Sequence, residues 1–408
     1  MLLNKWPPTM AEQLSMQQLR PDHATTRFRR VVRKSKETAE GVPPPSSAPA
    51  AEVGAGAEPP TTTPRKSEVA RKCSDVSSPD EEGNSVHAQR LGVDIPLDPN
   101  DEELLFQGAR IFKIENLNNF KNLKKLALIA NEVSVIEGLE EQGPTLEQLE
   151  LYQNHIKRID NIQHLTHLRV LDLSFNNIRR IEHLETLVNL RELFLSSNKI
   201  TKIEGLSTLK ELRTLELGSN RIRVVEGIEN LTNLTELWLG RNKITRLELP
   251  HLPQLARASL QSNRIEEWNP ELFGNCPKLR ELYLSHNNLP SPPSEIGQLV
   301  ELTVLDLCCN RIDDVGTIAS LHQLQDLWLN DNKLETVEKI RCLQHLSALD
   351  TLYLERNPLQ ASLGPGYRQA VTDLLPRLSQ LDALSISTTV HFVQHKGDES
   401  QVKPILKR

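Results

Sequence analysis

Residues 199–234 read KITKIEGLSTLKELRTLELGSNRIRVVEGIENLTNL. At the centre of this stretch Leu215 and Leu217 flank Glu216, and Asn220 follows. An L-x-L triplet is the pattern of a short strand with one apolar face, because successive side chains point to opposite sides. Asn220 then turns the chain, its amide placed to satisfy backbone groups in the turn. On either side, as in KITKIEGLSTLKEL (199–212), Ile and Leu fall at a helix-like spacing that suits a short 3₁₀ or irregular helical return.

Outward from this stretch the pattern LxxLxLxxN recurs, with its asparagine at Asn131, Asn154, Asn176, Asn198, Asn220, Asn242, Asn263, Asn287, Asn310, Asn332 and Asn357. The intervals are 23, 22, 22, 22, 22, 21, 24, 23, 22 and 25, and a degenerate unit around ARIFKIENL (109–117) precedes them. That motif and period are the leucine-rich-repeat signature. The predicted fold is an α/β leucine-rich-repeat solenoid, a horseshoe with short parallel strands on its concave face and 3₁₀ or irregular turns on its convex face. About 12 units fill residues 92–356. No unit buries a core by itself, so stability comes from stacking and the ends need caps. Residues 357–384, with a helical stretch from Tyr367 to Leu375 stopped by Pro376, are the expected C-terminal cap, and 92–115 cover the other end. The units between 243 and 310 carry the insertions EEWNPELFGNCPKL (266–279) and NNLPSPPSEIGQL (287–299), which leave the curvature there open.

Between Leu19 and Leu91 there is no Leu or Ile, and residues 38–64 are rich in Pro, Ala, Thr and Ser. Such a segment cannot bury enough apolar surface to offset its ordering entropy, so 1–91 reads as a disordered tail and 385–408 as a loose one. The N-terminal tail holds a basic run (Arg27, Arg29, Arg30, Arg33, Lys34, Lys36) and an acidic, Ser-rich one at 74–82. The basic run has the composition of a nuclear-import signal, of a solvated charge cluster or, by its Arg content, of a mitochondrial presequence. A net charge of −6 gives the chain no bulk preference for nucleic acid or anionic membrane. Cys73, Cys276, Cys308, Cys309 and Cys342 form no CxxC pair, which suggests a reducing compartment and neither a disulfide framework nor a zinc site. Nucleus and cytoplasm are the expected locations, with no membrane span and no secretory signal.

The residue between the two leucines of each L-x-L should face the concave surface, as should the residue before the triplet. The central column runs Ala127, Glu150, Asp172, Phe194, Glu216, Trp238, Ser259, Tyr283, Asp306, Trp328, Tyr353. Five aromatics stand in these positions, which have no structural need for them, and this is the pattern of a binding surface with anchor residues. The preceding column (Lys125, Gln148, Val170, Glu192, Thr214, Glu236, Arg257, Glu281, Val304, Asp326, Thr351) brings the two columns to eight acids and two bases. An acidic, aromatic face repels a phosphate backbone and favours a protein with a basic surface. After the second leucine the column is small in the middle (Ser174, Ser196, Gly218, Gly240), allowing close approach. Ordinary solvated strand residues are the bland alternative, which accounts for the acids but not the aromatics.

Catalysis has little support. Glu150 and Asp172 lie on adjacent rungs, but an open horseshoe has no deep pocket, and the sequence has no nucleophile elbow, HExxH or phosphate loop. His164 and His167 have metal-like spacing but no third ligand, and Cys308 and Cys309 should divide between groove and core. No cofactor or metal is expected, and the chain reads as a non-enzyme.

LDLSFN (171–176), LELGSNRIR (215–223), LTNLTELWLGRNKITRL (231–247), LQSNR (260–264), LRELYLSHN (279–287) and LYLERNPLQ (352–360) closely resemble the leucine-rich-repeat regulatory subunits of protein phosphatase 1, the regulatory subunit 7 family, over residues 92–384. The resemblance implies a regulator that binds the phosphatase catalytic subunit through its concave face, affecting its activity, assembly or localisation. By position it implies contacts at Asp172, Phe194, Glu216, Trp238, Asp306, Asp326, Trp328 and Tyr353, to which the aromatic column adds Tyr283. It also allows a further phosphatase regulator as third subunit, while nucleic acid and membrane are not expected partners and the free chain should be monomeric. Trp238 stands where the family has Phe and Asp326 where it has Glu, and Val390-His391-Phe392 lacks the basic residue of a phosphatase docking motif. A structural repeat scaffold of ciliary, centrosomal or spliceosomal type is the alternative.

Overall fold

The computed structural model describes residues 87–386. The expected tails before residue 87 and after residue 386, with their charged runs, Cys73 and the Val390–Phe392 motif, lie outside the described residues.

Among the described residues, strands lie side by side in chain order. They are β1 (Glu103–Gln107), β2 (Lys125–Ile129), β3 (Gln148–Glu150), β4 (Val170–Asp172), β5 (Glu192–Phe194), β6 (Thr214–Glu216) and β7 (Glu236–Trp238). There follow β8 (Arg257–Ser259), β9 (Glu281–Tyr283), β10 (Val304–Asp306), β11 (Asp326–Trp328), β12 (Thr351–Tyr353), β13 (Gln380–Leu381) and β14 (Leu384–Ser385). β1 to β13 pair in parallel, and β14 returns antiparallel to β13. Equivalent repeat positions face each other, so Leu171, Leu193, Leu215 and Leu237 form one continuous row. With the second leucine of each triplet they are fully buried and form the spine of the core. This is the leucine-rich-repeat solenoid that the asparagine spacing predicts.

The asparagines hold the rungs together. Asn198 Nδ2 donates to the carbonyl of Leu173 on the preceding rung (2.9 Å) and of Leu195 on its own (3.0 Å). Its Oδ1 accepts the N–H of Ile178 (2.9 Å), so one side chain satisfies both sides of the seam. The same carbonyl bonds recur at Asn154, Asn176, Asn220, Asn242, Asn287, Asn310 and Asn332. Immediately before them, Gln153, Phe175, Ser197 and Ser219 take φ values of 55°, 56°, 54° and 54°. A side chain in that left-handed region costs about 1–2 kcal/mol, which the buried amide bonds must offset. Glycine is required a few residues on: Gly227 has φ +69°, and an added Cβ would stand 2.6 Å from the Ile203 carbonyl oxygen.

The convex returns are irregular turns through the first half of the stack. Later units carry 3₁₀ turns at Ser294–Gln298, Gly316–Ser320 and Val337–His345. The 266–279 insertion folds as α1 (Glu271–Asn275), whose Leu272 and Phe273 are buried. Trp268 Nε1 donates to the Pro290 carbonyl (2.8 Å) and fastens this unit to the next. Sheet register passes the irregular units unbroken, with Ala258 opposite Leu282 and Leu282 opposite Leu305. The extra residues are thus absorbed on the convex side.

At the C-terminal end α2 (Pro358–Leu363) and α3 (Tyr367–Leu374) cover the last rung. Asp382 Oδ1 accepts the N–H groups of Leu354 (2.7 Å) and Glu355 (2.9 Å), while Oδ2 accepts the Tyr367 hydroxyl proton (3.0 Å). A carboxylate thus completes the final rung where no further strand supplies the carbonyl that accepts the equivalent N–H elsewhere, as the Tyr353 carbonyl does for Leu329. At the other end the expected tail boundary needs correction. Leu91 is fully buried and Gln89 bridges to Ile111, because the first unit takes its covering residues from the chain just before it.

Asn220→Ala would leave the Ile200 N–H, bonded at 3.0 Å, without its acceptor and take one of two side-chain donors from each of the Leu195 and Leu217 carbonyls, which Asn198 and Asn242 still bond. A buried group left without a partner costs about 1–3 kcal/mol, so urea denaturation should show a loss of about 2 kcal/mol. Exposed Asn230→Ala should stay within about 0.5 kcal/mol of wild type.

Candidate protein-docking surface on the concave face

The strands carry the central column onto the open face in register: Glu150 opposite Asp172, Asp172 opposite Phe194, Phe194 opposite Glu216, and Glu216 opposite Trp238. Rungs are about 4.8 Å apart, less than the size of an aromatic side chain. The large rings therefore lean across their smaller neighbours. Trp238 of β7 and Tyr283 of β9 stack with centroids 6.4 Å apart, over Ser259 of the intervening β8. Tyr283 and Trp328 meet at 6.1 Å across Asp306 of β10, and Trp328 meets Tyr353 edge-on at 6.2 Å. From β7 to β12 the face is a tiled aromatic row.

Tiling corrects the expectation that the whole column is open to solvent. Glu216, Trp238, Tyr283 and Trp328 are half-buried and reachable. By contrast, Asp172 is 0 % exposed, Tyr353 1 %, Asp306 5 %, Phe194 7 % and Asp326 8 %. Tyr353 is held under the cap, where its hydroxyl accepts a hydrogen bond from Gln380 Nε2 (2.8 Å). The small column of Ser174, Ser196, Gly218 and Gly240 is buried as well.

Two buried aspartates share one local geometry. Asp172 Oδ1 accepts the N–H of Ser174 (2.9 Å), and Asp306 Oδ1 accepts that of Cys308 (3.0 Å), each two residues on. Burial holds the Asp306 carboxyl above its ordinary value, with bonds from Ser285 and Cys308 opposing the shift. The acids of the preceding column orient the rings. Glu236 accepts the Trp238 indole N–H (3.3 Å), and Glu281 accepts the Tyr283 hydroxyl proton (2.8 Å). Arg257 links both acids, at 2.9 Å to Glu236 and 2.7 Å to Glu281, which fixes the row's first half. Burial, reinforced by Glu281, pushes the Tyr283 hydroxyl away from ionisation. Ser196 donates to Glu216 (2.6 Å), which holds that carboxylate on the face.

An aromatic pair at the other end escaped the column reading. Tyr152 and Phe175 meet at 4.9 Å, one in the column after the triplet and the other one residue further. Their repeat positions differ, so no single column contains both. Glu150 is paired with Lys125 (2.9 Å) rather than poised beside Asp172. His164 and His167 bond the carbonyls of Leu139 and Gly143, and no metal-holding cluster exists among the described residues. Cys308 is buried against Asn330 and Cys309 half-exposed beside Asp331. No helix among the described residues is long and apolar enough to cross a membrane.

Family models described as leucine-rich repeats match residues 144–251 in overlapping copies, 278–299 and 300–359. A solved internalin from Listeria monocytogenes superposes with TM-score 0.57 at 24% identity, covering 69% of this chain and 86% of its own. The fold and the models define a leucine-rich-repeat protein. More particularly, 73 residues are 42% identical to protein phosphatase 1 regulatory subunit SDS22 of Schizosaccharomyces pombe, covering 18% of this chain and 22% of that one. A protein phosphatase 1 regulatory inhibitor subunit PPP1R7 homolog of Arabidopsis thaliana is 38% identical over 73 residues, with the same shares. The chain spans about a fifth of the length of the curated relatives it matches first. Segments of comparable length also match proteins of other kinds, as repeats do.

Asp306 yields a pH prediction. Its folded-state value lies above the ordinary 3.8, so ionisation favours the unfolded chain. The resulting loss of stability is absent below that value and grows as pH rises through the window above it. Asp306→Asn keeps the acceptor for Cys308 and should raise the melting temperature near pH 7, the gain vanishing at about pH 3.5.

Proposed function

We propose that this chain is a non-catalytic regulatory subunit that docks the catalytic subunit of protein phosphatase 1 on its concave face, controlling its activity, assembly or location in nucleus and cytoplasm. The observation that carries this reading is the row Trp238, Tyr283 and Trp328, partly exposed to solvent, the first two oriented by Glu236 and Glu281 and the third packed against Tyr283 and Tyr353. Rigid aromatics bury large areas at little entropic cost, and central anchors of this kind dominate protein interfaces. The surrounding acids call for a basic partner surface. Local identity to two phosphatase regulators supports the choice of partner.

Burial divides the roles. Glu216, Trp238, Tyr283 and Trp328 meet the partner directly, while Asp172, Asp306, Asp326, Phe194 and Tyr353 shape and charge the floor beneath them. Calorimetry with the purified phosphatase catalytic subunit should show binding that Trp238→Ala and Trp328→Ala each weaken by upwards of ~2 kcal/mol, with circular dichroism unchanged. Absence of binding up to about 50 μM would remove the phosphatase assignment and leave a repeat scaffold for another protein.

A further inference from the structure

The turn that follows each asparagine forms one flank of the solenoid, and its backbone is laddered from rung to rung. The N–H groups of Lys199, Arg221, Lys243 and Arg264 each donate at 2.8 Å to the carbonyl two residues past the preceding asparagine: Ile178, Ile200, Ile222 and Ile244. Side chains one and three residues past each asparagine are therefore stacked in fixed columns. From the unit of β3 to that of β8 these columns hold Lys157, Arg179, Lys199, Arg221, Arg223, Lys243 and Arg264. None of the seven makes an ion pair among the described residues. In the next column outward the cations are engaged instead, Arg158 with Glu182 (3.4 Å), Arg180 with Glu204 (3.3 Å) and Arg246 with Glu248 (2.9 Å).

The result is a row of positive charge that no carboxylate neutralises, one or two cations per rung, in which Lys199 Nζ donates to Asn177 Oδ1 (2.6 Å). On the concave side stand Glu192, Glu216 and Glu236, the last paired with Arg257, and on the convex side, beyond the paired column, Asp160, Glu182, Glu204, Glu226 and Glu248. We propose that this row is a second docking surface, separate from the concave face, that takes an extended Asp- and Glu-rich segment of another protein. Six rungs at about 4.8 Å span about 24 Å, the length of about seven residues of extended chain at about 3.3 Å each. A nucleic-acid duplex, whose major groove alone is about 12 Å wide, would reach past the row to the acids of the concave face. Carboxylates spaced along one peptide strand can meet the guanidinium and ammonium groups within the row. The row stops where the columns change: Glu266 and Glu267 follow Arg264, and Asn288 takes the next first-column position.

The test uses the full chain and a fluorescein-labelled peptide of about eight alternating Asp and Glu residues, followed by anisotropy at low salt, where such contacts are least screened. The peptide should bind, and Arg221→Glu/Arg223→Glu/Lys243→Glu should bind it roughly tenfold more weakly with an unchanged melting profile. Lys333→Glu, in the first column beyond the row, and Trp238→Ala, on the concave face, should leave the affinity as it was. Should the triple variant not fold, Arg223→Glu alone should weaken binding about threefold. The proposal is overturned if the wild-type chain does not bind, if the row variants bind as wild type does, or if a single-stranded oligonucleotide of about eight nucleotides binds as tightly as the peptide.

Discussion

Everything in this protein hangs on a buried primary amide repeated once per rung. A strand of three residues makes too few backbone bonds to hold itself, and the turn after it is left-handed at a residue with a side chain. The asparagine resolves both problems, because its two ends offer donors and an acceptor at once and reach the preceding rung as well as their own. It is satisfied only inside the stack, which makes each unit dependent on its neighbours. Where the stack ends, Asp382 supplies the acceptor that the next strand's carbonyl supplies on earlier rungs, and Tyr367 anchors it.

With the backbone period set, side-chain size decides the character of the surface. A small residue between two large ones is roofed over, and Ser259 and Asp306 are buried for that reason although they face outward from the sheet. Roofing brings Asp306 into a poorly hydrated place and stiffens the rings that cover it. The same stacking arranges charge: acids and aromatics share the concave face, while cations gather one turn further round. Two chemically opposite surfaces therefore lie on one short solenoid, each repeated often enough to act as a strip rather than a point.

Much of this was legible in the linear chain. Alternation in L-x-L places leucines inside and their central neighbour outside without reference to any distant residue, and the asparagine interval counts the rungs. The column that holds Trp238, Tyr283 and Trp328 follows from that periodicity alone. Insertions at 266–279 and 287–299 were visible as irregular spacing, but whether they break the sheet was not. Their fate depended on the convex side having room for α1 and a 3₁₀ turn.

Only the tertiary structure decided which column members can be touched. Burial of Asp172 and Tyr353, the pairing of Tyr152 with Phe175, and the clamp of Arg257 on Glu236 and Glu281 arise from contacts between residues in different units. Sequence determined the direction of each side chain because direction is a local property of a strand. Accessibility and pairing belong to the packed stack, where a side chain's environment is made by the rungs above and below it.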